Sequence, residues 1–339
     1  MKTIQEFVAS QFDALNCKTS IGTPGELNKH LYSLIVSSDF RRTALDSDSI
    51  NDIQNKIKQQ MSEAKPISFS IPFGAYKNWR LRSYPEPDWA EVFNINHLIS
   101  YAMPIAAIYS PGVLIQYSFT DEVMDVVSNL PRDSQNSYVV AFEKILMYFQ
   151  KRLPDNLRLR MVKINDFYSA DDYRTELQQN YEFNVQNWES KYPKNIRDYK
   201  IESARHNLVL NGVKDLTKMS SSELENMYLQ SAMRCDALDC LKKRRDFNKY
   251  SNNIQIVFVR GPTLSLHLGV CETGSMHFWV GSGIVEERQT RYLQRILSQP
   301  KFESLEQAGG VSLVEVENDL KSVSRNYDCI PVWNNNLLK

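Results

Sequence analysis

The sequence predicts an α/β protein: a mainly parallel sheet with helices on both faces, an N-terminal helical segment before it and a helical insertion within it. Three observations predict this class. Strand-like runs at 67–71, 112–117 and 157–164 alternate with helical stretches, which is the rhythm of a parallel sheet. A charged, helical stretch then fills 166–250, and strand-like runs return after it. The chain has 339 residues, 42% apolar and 24% charged, enough for a full core in one large domain or two intimate ones.

The elements follow in order. Ile4, Phe7, Val8 and Phe12 form one helical stripe. Thr23, Pro24 and Glu26 read as N-cap, first-turn proline and first-turn acid ahead of Leu27, Leu31, Leu34 and Ile35. A third helix spans 46–63, which completes an N-terminal helical segment over 1–63. Ile67, Phe69 and Ile71 alternate with Ser68 and Ser70 in a strand that Pro72 and Gly74 end. A long helix begins near Pro87 with Asp88 and Glu91 in its first turn. A strand over 112–117, a helix over 134–151 and a strand over 157–164 complete a first core part, 64–165. After the insertion, a second core part over 251–339 holds strands at 254–259, 263–270 and 276–281. A helix at 286–297 and a strand at 311–316 close the fold. Thr273 and Gly274 are expected to turn the second of these strands back into the third as a hairpin.

Composition removes several function classes. Forty basic and forty acidic residues cancel, which leaves no global field to draw nucleic acid or an anionic membrane. The five cysteines, Cys17, Cys235, Cys240, Cys271 and Cys329, follow neither a disulfide framework nor a zinc spacing, and a reducing cytoplasm suits them. Polar residues interrupt the start, MKTIQEFVASQF, and no stretch approaches the ~20 apolar residues of a bilayer span. The expectation is a cytoplasmic protein with small-molecule partners, and its aromatic content is compatible with a homodimer.

The candidate functional residues are few. Lys77 follows the strand at 67–71 closely enough to meet a phosphate or carboxylate at the strand's end, or to stand in water as an ordinary loop lysine. Asp88 and Glu91 favour the positive end of their helix, and Glu91 also suits a role in a site. Arg260 leaves a strand ahead of Gly261 and Pro262, where an anion or a structural carboxylate can meet it. Ser265 and His267 share the polar face of the strand at 263–270. His267 suits acid/base work or a satisfied place in the core. Whether His267 and His277 share a sheet face depends on the loop length between them, and with Cys271 they lack a recognised metal spacing, so no metal is assigned. Gly281 and Gly283 make a Gly-x-Gly turn that admits phosphate or serves as an ordinary connection. The basic cluster 242–245 reads as a solvated face at a helix end, with phosphate contact as its other use.

Four segments in order, PFGAYKN, PDWAE, IYSPGVLIQY and VRGPTLSLHLG, resemble the isocyanide (isonitrile) synthases, the pyoverdine/dityrosine biosynthesis family. The resemblance covers residues 66–117 and 254–285. It implies a Rossmann-like fold and conversion of an aromatic amino acid's amine into an isonitrile, with ribulose 5-phosphate giving the carbon; no cofactor is expected. It implies Lys77 and Arg260 as anion or carbonyl contacts, Asp88 and Glu91 as acid/base or amine-binding carboxylates, and His267 as proton carrier. The family's serine-aspartate-glycine is replaced by SFTDEVMD, where Asp121 or Asp125 stands nearest. The family's lysine beyond the histidine strand is replaced near Met276 and His277. Its late tryptophan-histidine is absent beside WNNN at 333–336. Two other readings remain: a phosphate- or nucleotide-dependent transferase, and a non-catalytic interaction protein on the same fold.

Overall fold

The computed structural model describes residues 3–13, 24–74, 86–119, 132–163, 166, 169–210, 219–244, 252–258, 264–274, 276–289 and 291–334. Three helices come first: α1 (Ile4–Ser10), α2 (Pro24–Ile35) and α3 (Ser47–Ser62). Thr3 and Glu6 cap the start of α1 reciprocally, and the Asp46 side chain accepts from Ser49 N at 2.7 Å at the start of α3. Each satisfies amide donors that a helix start leaves without carbonyls.

The strand–helix rhythm then appears as expected. β1 (Ile67–Phe73) leads into α4 (Trp89–Ile108), β2 (Val113–Phe119), α5 (Arg132–Gln150) and β3 (Leu157–Lys163). Ile67, Phe69, Ile71, Val113, Ile115 and Tyr117 are all fully buried, as strands covered on both faces require. Three helices follow, α6 (Ala170–Lys191), α7 (Lys194–Leu210) and α8 (Ser221–Arg244), and pack on one another through small cores of their own. The chain then returns through β4 (Ile254–Val257) and β5 (Leu266–His267). All five strands run parallel in the order β3-β2-β1-β4-β5. The sequence order therefore reverses between β1 and β4.

The tight link from α4 to β2 depends on Gly112, whose φ is +80°. A Cβ there would stand 1.8 Å from the Asn156 carbonyl oxygen, which itself accepts from Val113 N at 2.7 Å. Gly112→Ala is expected to cost on the order of 3 kcal/mol in urea unfolding, through backbone strain and this clash together. An unchanged midpoint would disprove it.

The last quarter departs from expectation. The segment 276–281 is a turn and not a strand, and β5 pairs parallel to β4 and not in a hairpin. The expected helix at 286–297 is instead the antiparallel pair β6 (Ser282–Glu287) and β7 (Tyr292–Leu297). The spacing of Leu293, Ile296 and Leu297 imitates a helix, but long-range ion pairs suit the hairpin better. Glu286, 1% exposed, accepts from Arg288 Nε at 2.9 Å and from Arg295 Nε at 2.6 Å across the turn. Its carboxyl is desolvated, yet these two guanidiniums hold it below the usual carboxylate range. A short helix α9 (Gln299–Gln307) leads to β8 (Val311–Glu315) and β9 (Cys329–Asn334), and a second sheet forms in the order β7-β6-β9-β8. This sheet packs against α4, so one contiguous core joins both halves of the chain. No helix among the described residues is long and apolar enough to cross a membrane.

Candidate active site

Open α/β sheets hold ligands beyond the strands' carboxyl ends, where the strand order reverses. Here that point lies past Phe73 of β1 and Val257 of β4. Aromatic rings crowd it. Phe73 packs on Phe119, Phe142, Phe278 and Trp279, and Phe278 also meets Phe258, the residue after β4, at 6.0 Å.

The first turn of α4 stands at the same edge, and it carries two of the expected residues. Asp88 is the N-cap, its Oδ1 accepting from Ala90 N at 2.8 Å and from Gly283 N at 3.3 Å. Glu91, fully buried, closes the box by accepting from Asp88 N at 2.7 Å through Oε2. Its Oε1 accepts from the Tyr138 hydroxyl of α5 at 2.7 Å. The Tyr327 hydroxyl donates to the Asp88 carbonyl at 2.9 Å. Burial pushes both phenols well above their ordinary pKa, and the neighbouring Glu91 and Asp88 charges add to the shift. These tyrosines therefore remain hydrogen-bond donors at any physiological pH. Their part was missed in the sequence, because nothing in SYVVAF or RNYDC distinguishes a donor to a carboxylate from a core aromatic.

Gly283 explains itself at this point. A Cβ would lie 2.2 Å from Ala90 N and 2.4 Å from Trp89 C, so only glycine lets β6 lie directly on the start of α4. Its amide donates to a carboxylate of the chain, a different use from the phosphate cradle considered for the Gly-x-Gly turn.

His267 sits on the edge strand β5, two strands and about 10 Å across the sheet from β1. Its Nδ1 is 3.3 Å from Thr43 Oγ1 and its Nε2 3.1 Å from the Phe258 carbonyl, so both ring nitrogens are engaged. Ser265 is half-buried one residue before β5. Lys77, Asp121 and Arg260 lie outside the described residues, as does the basic cluster 242–245 at the level of its side chains. In chain order, these three single residues belong to the segments following β1, β2 and β4. Among the described residues no cluster of three His, Cys, Asp or Glu side chains could hold a metal ion.

A cavity of about 110 Å³ opens beside Asp88, walled by Trp89, Phe302, Leu313 and Cys329. Sites for small molecules usually measure ~300–1,000 Å³, so this hollow alone is too small for an amino acid with a sugar phosphate.

No protein-family model and no curated protein sequence matches this chain. Solved structures do. The PvcA protein from Pseudomonas aeruginosa superposes with a TM-score of 0.61 at 14% identity, over 85% of this chain and 96% of that one. A tyrosyl-tRNA synthetase from Archaeoglobus fulgidus, crystallised with L-tyrosine, gives 0.34 at 10% identity over 68% of this chain and 54% of its own. A CDPS from Fluoribacter dumoffii gives 0.34 at 9% identity, covering 67% and 85%. The first of these spans nearly the whole of both chains, and by that measure the protein has the Rossmann-like α/β fold of PvcA.

Proposed function

We propose that this chain is an isonitrile-synthase-like enzyme that joins the amine of an amino acid to a phosphorylated ketose such as ribulose 5-phosphate. The observation that carries the reading is the Asp88–Glu91 cap, set at the carboxyl end of β1 in a fold shared with PvcA. The four sequence segments that resemble the isocyanide synthases support it, because one of them, PFGAYKN, begins in the last residues of β1 and another, PDWAE, begins α4.

The chemistry suits the residue types. Asp88, slightly open at 7% exposure, receives the substrate ammonium, and Glu91 behind it holds the cap in place. Lys77 and Arg260 supply cations for the phosphate and the ketone oxygen, and Ser265 and Asp121 offer further polar contacts. Holding amine and ketone together converts a bimolecular condensation into a local one.

The test is incubation of purified protein with aromatic amino acids and ribulose 5-phosphate, with isonitrile detected by infrared absorption and mass spectrometry. The expected result is product from the wild type and a loss of about 10²-fold or more in Lys77→Ala. Wild type and variant equally inactive would overturn the reading and leave a non-catalytic protein on the same scaffold.

A further inference from the structure

We infer that the proton carrier of this site is His277, not His267; the inference rests on the proposed reaction and deepens it. His267 has both ring nitrogens engaged by Thr43 and Phe258, so a substrate would have to displace one of them. His277 is the opposite case. Its Nδ1 is buried and meets no protein hydrogen-bond partner. An unmet buried nitrogen is costly, and such groups are retained where a ligand or water completes them.

The ring is held as a working group would be. It stacks on the Trp279 indole with centroids 4.2 Å apart and planes at 22°. The His277 carbonyl accepts from Val280 N at 3.1 Å and Gly281 N at 2.9 Å, which closes a tight turn around the residue. That turn is placed at the candidate site from both of its sides. Phe278 and Trp279 lie 6.0 and 6.4 Å from Phe73 at the end of β1. Six residues after His277, Gly283 rests on the start of α4 and donates to Asp88 Oδ1. Burial lowers the imidazole's pKa to about 4, so the ring is neutral at physiological pH, and it takes up a proton when a bound anion such as the substrate phosphate offsets that burial.

His97 also has a buried, unpartnered nitrogen, but it stands nine residues and about 13 Å further along α4 than Asp88. It packs on Phe40, and burial together with the Arg42 charge lowers its pKa to about 4 as well. Position, not burial alone, therefore singles out His277.

The step balances. Neutral His277 takes one proton from the substrate ammonium, and the freed amine nitrogen bonds to the ketone carbon while its own second proton passes to the ketone oxygen. The resulting carbinolamine hydroxyl then receives the proton held by His277 and leaves as water, its bond to carbon breaking as the nitrogen lone pair forms C=N. One ammonium and one ketone become one iminium and one water, and His277 ends neutral.

Two measurements on the full chain test this. In the isonitrile assay, His277→Asn is expected to lower kcat about 10²–10⁴-fold with KM changed little, while His97→Asn stays within a few-fold of wild type. Wild-type product with His277→Asn at the wild-type rate would overturn the histidine inference and leave the reaction standing. In parallel, ¹⁵N-histidine spectra are recorded with L-tyrosine and ribulose 5-phosphate, the His277 signal assigned by its loss in His277→Asn. A shift of the His277 ring nitrogens supports the contact even where no isonitrile forms, an outcome that overturns only the reaction. Unmoved ring nitrogens overturn the histidine inference whatever the assay shows.

Discussion

Glu91→Ala is expected to destabilise the protein by about 3–5 kcal/mol, the usual cost of deleting one member of a buried charged hydrogen-bond set. The substitution leaves the Asp88 amide and the Tyr138 hydroxyl facing a void where both now donate at 2.7 Å. It also loosens the N-cap of a 20-residue helix that lies against both sheets. Glu91→Gln should lose much less, because the amide oxygen still accepts one bond and the rotatable phenol can accept from the amide nitrogen. The pair of variants separates folding from function: in urea unfolding only the alanine form shifts strongly, whereas in the isonitrile assay both fall. A wild-type unfolding midpoint for Glu91→Ala would show that the cap contributes little.

Asp236→Ala is expected to cost a similar amount, about 3–5 kcal/mol, but in the helical insertion. The Asp236 side chain is 2% exposed and accepts from Lys191 Nζ at 2.6 Å, Lys200 Nζ at 2.7 Å and Tyr192 Oη at 2.8 Å. Without it two ammoniums face each other across α6, α7 and α8 with their shared carboxylate gone. Hydrogen exchange should quicken in these three helices first, and uniform protection across them would contradict the prediction. Burial raises the Asp236 pKa, but the bonds from Lys191, Lys200 and Tyr192 outweigh it and leave the carboxyl below its ordinary value. A depressed folded pKa means stability that is present above the unfolded value of ~3.9 and is lost as pH falls through the folded one. The insertion should therefore loosen in strong acid, and Asp236→Asn should flatten that dependence.

Much of the fold was legible because it is local. The alternation in ISFSIPF, the glycine and proline at the strand ends and the first-turn acids of α4 each act within a few residues, and β1, α4, β2, α5 and β3 appear close to where the spacing puts them. The second sheet was illegible for the opposite reason. Glu286 meets Arg295 nine residues on, β9 pairs beside β6 from more than forty residues away, and Gly283 is glycine because of Trp89 and Ala90. No local period records such contacts, so a hairpin read as a helix and a turn read as a strand.

The candidate site divides along the same line. Asp88 and Glu91 announce themselves through their three-residue spacing, a helix-start signal whether or not they also meet a ligand. His267 stood out because it alternates with leucines, yet its neighbours Thr43 and Phe258 come from distant segments and occupy both its nitrogens. His277 drew notice only through its spacing to His267 and Cys271, since an unpartnered nitrogen is a property of what surrounds a ring and leaves no mark on the local pattern.

The sequence by itself determined a mainly parallel sheet, the helical insertion and the carboxylates that begin α4, because hydrophobic period and capping chemistry are short-range. Only the tertiary structure decided which polar atoms are already occupied, since hydrogen bonds between remote segments depend on the chain's return path and not on its local pattern.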